Sequence, residues 1–325
     1  MKQPIDIRNK LSECKSSIPK SLVISDLKWK YLCRSVLRAK NVLIVGPTGT
    51  GKTLAAKSVA ASLVSEKQFF YFNLGSTQDP RSALIGNTHF DKSEGTTFNE
   101  STFVTAIRTP GSVILLDEIS RAHPDAWNIL MTVLDDLQRY LRLDEKRDSE
   151  VVHVADGVSF IATANVGNEY TSTKVMDRAL MNRFSVKIEM EPLDIKSEFE
   201  LLKTRFNIKD DDLLETLKHL VEIADHTRKA LKQDDAQLTN FLSTRDTVEM
   251  AELLCDGFNL LEIAENVIYP NFEQEGGADS ERTYVKQLVQ KYVEDKNLPK
   301  TLFKNTKSGN TPTASTTVNN SNVPF

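Results

Sequence analysis

The chain has 325 residues, room for one large domain or two modest ones, and its 40% hydrophobic and 26% charged side chains are ordinary for a soluble globular protein. Its 41 basic and 45 acidic side chains give a net charge of −4, which argues against a dedicated nucleic-acid binder that grips through phosphate neutralisation. No segment approaches the apolar run of roughly 20 residues that a membrane span needs, and Met1 to Lys20 has no apolar core to act as a secretory signal, so the expected compartment is cytoplasmic with no membrane partner.

In chain order, residues 1–22 read as an N-terminal extension and residues 23–192 as an α/β domain. Asp26 to Leu37 has helical apolar spacing and leads into Asn41 to Val45 (NVLIV), a short buried strand cut off by glycine. Further apolar runs at Phe69 to Phe72, Val113 to Leu116 and Phe160 to Ala162 alternate with helical patterns, which predicts a parallel sheet flanked by helices. Beyond Pro192 the spacing is helical throughout: Phe199, Leu202 and Phe206, then Leu213, Leu217, Leu220 and Ala224. Ser243 with Asp246 forms a capping box for a helix that Gly257 can close, and Tyr284, Leu288 and Tyr292 mark a last amphipathic helix. Residues 193–303 are therefore expected to form a smaller, all-helical domain. Residues 304–325 are rich in Ser, Thr, Asn, Gly and Pro and are expected to be a disordered tail. Cys14, Cys33 and Cys255 are odd in number and widely spaced, so neither a disulfide framework nor a zinc site is supported.

Gly46-Pro47-Thr48-Gly49-Thr50-Gly51-Lys52-Thr53 fits the pattern GxxxxGK[ST] between a strand and a helix, the setting in which a phosphate loop works. Its glycines let backbone N–H groups converge on phosphate oxygens, and the helix N-terminus adds partial positive charge. Gly46 to Thr53, with Leu54, are thus candidate nucleotide-binding residues. Lys52 is expected to neutralise the β- and γ-phosphates and Thr53 to ligate Mg²⁺. Val113 to Glu118 (VILLDE) is a buried strand that delivers two acids to the sheet's carboxyl edge: Asp117 to hold Mg²⁺ and Glu118 to orient and deprotonate the attacking water. Phe160 to Asn165 (FIATAN) brings Asn165 to the same edge, where it can help place that water.

The order GPTGTGKT, LLDE, IATAN, then Asp177 to Phe184 (DRALMNRF), resembles the AAA+ ATPases. The resemblance implies a P-loop core with a helical lid, ATP as nucleotide, and ring assembly, taken as a hexamer. It makes Arg183 the candidate arginine finger, reaching the γ-phosphate of the adjacent subunit, with Arg178 able to share that role. Ser243-Thr244-Arg245-Asp246 resembles the second sensor of the class, so Arg245 is expected to touch the nucleotide from the lid.

Within the class, the chain is similar to the MoxR-like group and to the small ATPase subunit of cobaltochelatase. Asp117 to Pro124 (DEISRAHP) resembles that group's continuation, with Ser120 in place of Asn. Segments 85–102 and 140–155 correspond to hairpin inserts, the second with strands at Tyr140 to Leu143 and Val151 to Val154. Phe90 and Phe98 are the candidate aromatic residues of the first hairpin. The group often works with a separate protein bearing a von Willebrand factor A domain. Three readings follow: a MoxR-type motor remodelling a partner protein, the motor of a cobalt or magnesium chelatase, and a nucleic-acid-associated motor, which the net charge disfavours.

Overall fold

The computed structural model describes residues 7–14, 18–91, 95–146, 148–165, 176–233, 238–277 and 280–293. The expected tail at 304–325 and the end of the helical domain after 293 lie outside the described residues. Two helices open the fold, α1 (Ile7–Cys14) and α2 (Asp26–Leu37), the latter capped by the Ser25 side chain. β1 (Val42–Gly46) leads through the glycine loop into α3 (Lys52–Leu63) and then β2 (Phe69–Asn73). A short α4 (Pro80–Leu84) precedes a hairpin of β3 (Gly86–Asp91) and β4 (Gly95–Glu100), followed by α5 (Thr102–Arg108). β5 (Val113–Asp117), α6 (Pro124–Val133), a second hairpin of β6 (Tyr140–Leu143) and β7 (Glu150–His153), β8 (Ser159–Asn165), α7 (Arg178–Asn182) and β9 (Val186–Glu189) complete the first lobe. The second lobe holds α8 (Ile195–Phe206), α9 (Asp211–Leu231), α10 (Thr244–Cys255), α11 (Leu260–Ile263) and α12 (Glu281–Val293).

The main sheet is parallel, ordered β2-β5-β8-β1-β9. Alternate residues of its central strands feed two cores: Leu43, Ile114, Leu116 and Phe160 pack with α5 and α6, while Val42, Ile44, Val113 and Leu115 pack with α2 and α3. Burial on both faces explains why these strands read as unbroken apolar runs. A separate core fills the helical lobe, centred on Leu217, Leu220, Met250 and Ile263. Among the described residues no helix is long and apolar enough to cross a membrane.

Three details depart from the sequence reading. β9, which it did not assign, is the fifth strand; Val186 and Ile188 are buried while Lys187 and Glu189 face out, an edge-strand alternation only four residues long. The second hairpin pairs Glu150–His153 rather than Val151 to Val154: the Val154 N–H still bonds across to the Arg139 carbonyl, but Arg139, at φ 43°, turns its own N–H to the Asp135 carbonyl and the ladder ends there. Finally, part of the N-terminal extension joins the first lobe: Cys14 and Leu22 are buried in the core with Trp29, and the Trp29 indole donates to the Cys14 carbonyl at 2.7 Å.

Candidate nucleotide-hydrolysis site

Strand register gathers the functional residues at one edge. Gly46 pairs with Asn165 and Asn73 with Asp117, so four strand ends meet at the carboxyl side of the sheet. There a cleft of about 560 Å³ opens between the two lobes. Its lining includes Thr48 to Leu54 of the glycine loop, Asp117, Glu118, Asn165 and, from the helical lobe, Arg245.

The loop is built to present backbone donors. Gly51 occupies the N-cap of α3 in the left-handed conformation that glycine adopts without strain, and no side chain caps that helix end. Every other α-helix with a described N-cap has a side-chain acceptor there, as Ser25, Asp194, Asp210 and Ser243 show. The first N–H groups of α3 are thus left for a ligand acceptor. Lys52, 8% exposed, donates to the Gly46 and Pro47 carbonyls at 2.9 and 2.6 Å. Burial pulls its ammonium down to about 8, against the attraction of Asp117 and Glu118. A buried cation held only by carbonyls is a ready partner for phosphate.

Asp117, 6% exposed, is the hub of the acidic side. Its Oδ1 accepts from the Thr53 hydroxyl at 2.9 Å and from the Thr163 hydroxyl, and its Oδ2 accepts from the Tyr71 hydroxyl at 3.0 Å. Removal from water and the bond to Asp117 push the Tyr71 phenol up to about 12. Glu118 follows with φ 56° and ψ 39°, a left-handed conformation that is uncommon for a side-chain-bearing residue and recurs at functional sites. Its N–H donates to Thr163 Oγ1 at 3.0 Å, its carboxylate lies 3.7 Å from Arg121, and its side chain keeps 37% exposure. The Asn165 N–H donates to Ser120 Oγ at 3.2 Å, tying β8 to the turn after Glu118.

The donor set fits Mg²⁺ and a nucleoside triphosphate: hard oxygen ligands at Thr53 and Asp117, cations and N–H groups at the loop, and an apolar wall of Leu22, Leu193, Leu201 and Val248 where a base can lie. Bound Mg²⁺ neutralises charge on the β- and γ-phosphates.

Arg178 and Arg183 stand apart from these groups. Neither lines the cleft; Arg183 instead pairs with Asp135 at 3.1 Å, and its Nε is buried without a partner. The lid, by contrast, touches the loop. A Cβ on Gly49 would come within 2.7 Å of Ser243 Cβ, at the capped start of α10.

Thr163, Arg121 and Arg205 of the cleft lining, and Tyr71 beside the cleft, are among the residues that escaped sequence reasoning. Thr163 had a usable signal, because it sits two residues before Asn165 on the same pleat of a strand expected beside VILLDE. Arg205 lies one helical turn after Leu201 on α8, but nothing in the sequence says which face of α8 meets the loop.

Comparison with known proteins agrees with this geometry. Residues 41–184 match the family described as AAA domain (dynein-related subfamily). The chain is 33% identical to the protein named "Putative chaperone BssE" of Thauera aromatica over 224 residues, 68% of this chain and 72% of that protein. It is 30% identical to the chaperone protein ClpB of Staphylococcus aureus over 64% of this chain, though this covers only 24% of ClpB. In fold it resembles Hsp104 as seen in a closed-state cryo-EM reconstruction with ATPγS and FITC casein, with a TM-score of 0.52, 19% identity, and coverage of 79% of this chain and 48% of Hsp104. Phosphate loop, paired acids, flanking sheet and relatives converge: the chain belongs to the AAA+ ATPases, enzymes that hydrolyse ATP with Mg²⁺.

Proposed function

We propose that the chain is one subunit of a cytoplasmic ring, built as a hexamer, in which ATP hydrolysis drives the remodelling of a partner protein in the manner of MoxR-type AAA+ ATPases. In this reading Lys52 meets the β- and γ-phosphates while Thr53 and Asp117 hold Mg²⁺. Glu118 orients and deprotonates the attacking water with Asn165 beside it. Arg245 follows the nucleotide from a lid domain at 193–303, and the core domain spans 23–192. Arg183, with Arg178 near it, acts on the nucleotide of the neighbouring subunit.

The observation that carries this reading is the separation of Arg183 from its own cleft, where it has no place in the lining and pairs with Asp135. Such an arginine can serve a cleft only if it is offered to another subunit, and trans arginines are worth about 10³ to 10⁵ in rate in other phosphoryl-transfer systems. Relatives named as chaperones favour a protein substrate over the chelatase reading. The likeness of Asp117 to Pro124 to the MoxR-like continuation supports a separate partner with a von Willebrand factor A domain.

Mixing two inactive variants tests the shared site. Arg183→Ala subunits keep an intact cleft, and Glu118→Gln subunits keep the arginine, so mixed rings should regain ATP hydrolysis that neither variant shows alone. Mixtures that stay inactive, or an Arg183→Ala protein that hydrolyses ATP normally, refute the assignment.

A further inference from the structure

Tyr71 sits on β2, the edge strand of the sheet, and its ring is 42% exposed. Its neighbours on the strand do the packing: Phe70 and Phe72 lie against one core and Phe69 against the other. The ring of Tyr71 is therefore not explained by burial. Its hydroxyl, however, reaches along the strand to Asp117 and donates to Oδ2 at 3.0 Å. Above the ring lies Lys57 of α3, with Nζ 4.5 Å from the centroid. Lys57 follows Thr53 by four residues on α3, and Thr53 itself donates to Asp117 Oδ1 at 2.9 Å. Thr53, Asp117, Tyr71 and Lys57 thus form a chain of contacts that leaves α3, crosses β5 and β2 and returns to α3.

We propose that Tyr71 is a positioning residue for Asp117, holding Oδ2 of that carboxylate so that its one remaining lone pair faces the metal. The chemistry of the three donors supports this. A carboxylate has about four acceptor sites; hydroxyls from Thr53 and Thr163 occupy two on Oδ1, and Tyr71 occupies one on Oδ2. All three donors are neutral, so they fix the group without cancelling the negative charge that a divalent cation requires. A lysine or arginine on Oδ2 would compete with the metal, and Lys57 lies over the ring face of Tyr71 rather than on that oxygen. Without the hydroxyl, Oδ2 loses its one protein partner among the described contacts, and the carboxylate can turn about its terminal bond.

The inference rests on Asp117 being the metal ligand, and the test separates the two. In the full-length protein, binding of a fluorescent ATP analogue is measured in EDTA and then across a Mg²⁺ titration, with Mn²⁺ binding followed by electron paramagnetic resonance as a second readout. Tyr71→Phe keeps the ring and removes one part-buried hydroxyl. It should bind the analogue like wild type in EDTA, yet need about three- to tenfold more Mg²⁺ or Mn²⁺ for half-saturation, as expected for one lost hydrogen bond to a charged group beside solvent. An unchanged metal requirement overturns the proposal. So does an equal loss of binding in EDTA, which would place the effect in the fold or the nucleotide rather than the metal. Asp117→Asn is the control: if it leaves the metal requirement unchanged, the assignment of Asp117 fails; if it raises it and Tyr71→Phe does not, the inference about Tyr71 fails alone.

Discussion

Glu118 lays its side chain against the bare α-carbon of Gly75: a Cβ there would come within 2.4 Å of Glu118 Oε2 and 2.9 Å of Glu118 Cβ. The carboxylate tip could swing away from such a methyl group, but the Cβ belongs to a backbone already held in a left-handed conformation. Gly75→Ala should therefore lower kcat by about tenfold or more through misplacement of the proposed general base. Nucleotide affinity should stay within about twofold, since Gly75 is absent from the cleft lining. Steady-state kinetics with analogue binding checks the split, and equal losses in both would refute it.

In the helical lobe, the fully buried Glu198 of α8 meets Arg228 of α9 through two bonds at 2.5 and 3.0 Å, accepts from Thr247 of α10 at 2.6 Å, and Arg228 also donates to the Leu242 carbonyl. Arg228→Met leaves that carboxylate uncompensated and should cost about 3–5 kcal/mol in denaturant unfolding. The double variant Glu198→Leu/Arg228→Met should recover about 2 kcal/mol or more of this loss. A double variant no more stable than the single one would show that the pair is not coupled.

The two hairpins are tied by charge. Arg108 of α5 and Lys146 of the second hairpin both bridge Glu100 on β4 and Glu150 on β7. Burial pushes the Glu100 carboxyl up, but bonds to Arg108 and Lys146 prevail and hold it below its ordinary range; Lys146 first, then Arg108, do the same for Glu150. A depressed carboxylate contributes stability above its unfolded value of about 4.5 and loses it as pH falls through the lower folded value. Amide protection in both hairpins should accordingly weaken below about pH 4.5, and in high salt, while protection of β1 and β8 persists. Hydrogen exchange read hairpin by hairpin would refute this if protection is flat across that range.

Ser243 caps α10 and, with Asp246, completes the reciprocal box at the helix start, directly over Gly49. Ser243→Ala should cost about 1 kcal/mol and weaken analogue binding by loosening the helix that carries Arg245. A melting temperature and affinity both equal to wild type would exclude that coupling.

The chain's own pattern exposes much of this architecture. Strands β1, β2, β5 and β8 are legible because each is a short apolar run with its polar residues at the carboxyl end, and α2 and the capping box of α10 follow from local spacing and caps. What escapes is whatever depends on register or on lobe packing. Tyr71 meets Asp117 only because β2 pairs with β5, and Arg205 lines the same cleft as Arg245 only because α8 packs beside α10. β9 escapes because four alternating residues carry little periodic signal.

Asn41 stands just before β1, where its side-chain amide donates to the Leu134 carbonyl at 2.7 Å and to the Arg183 carbonyl at 3.0 Å. At the other end of β1 lies Gly46, the first residue of the phosphate loop. The five residues of β1, four of them buried, span roughly 17 Å at strand rise and link the loop that, on the proposed assignment, holds one subunit's nucleotide to the arginine it lends to the next. Such a strand cannot shorten or bend without breaking its pairs with β8 and β9. In the proposed ring, a pull at the loop arrives at the arginine as displacement, and that linkage is the means by which one subunit would time its neighbour.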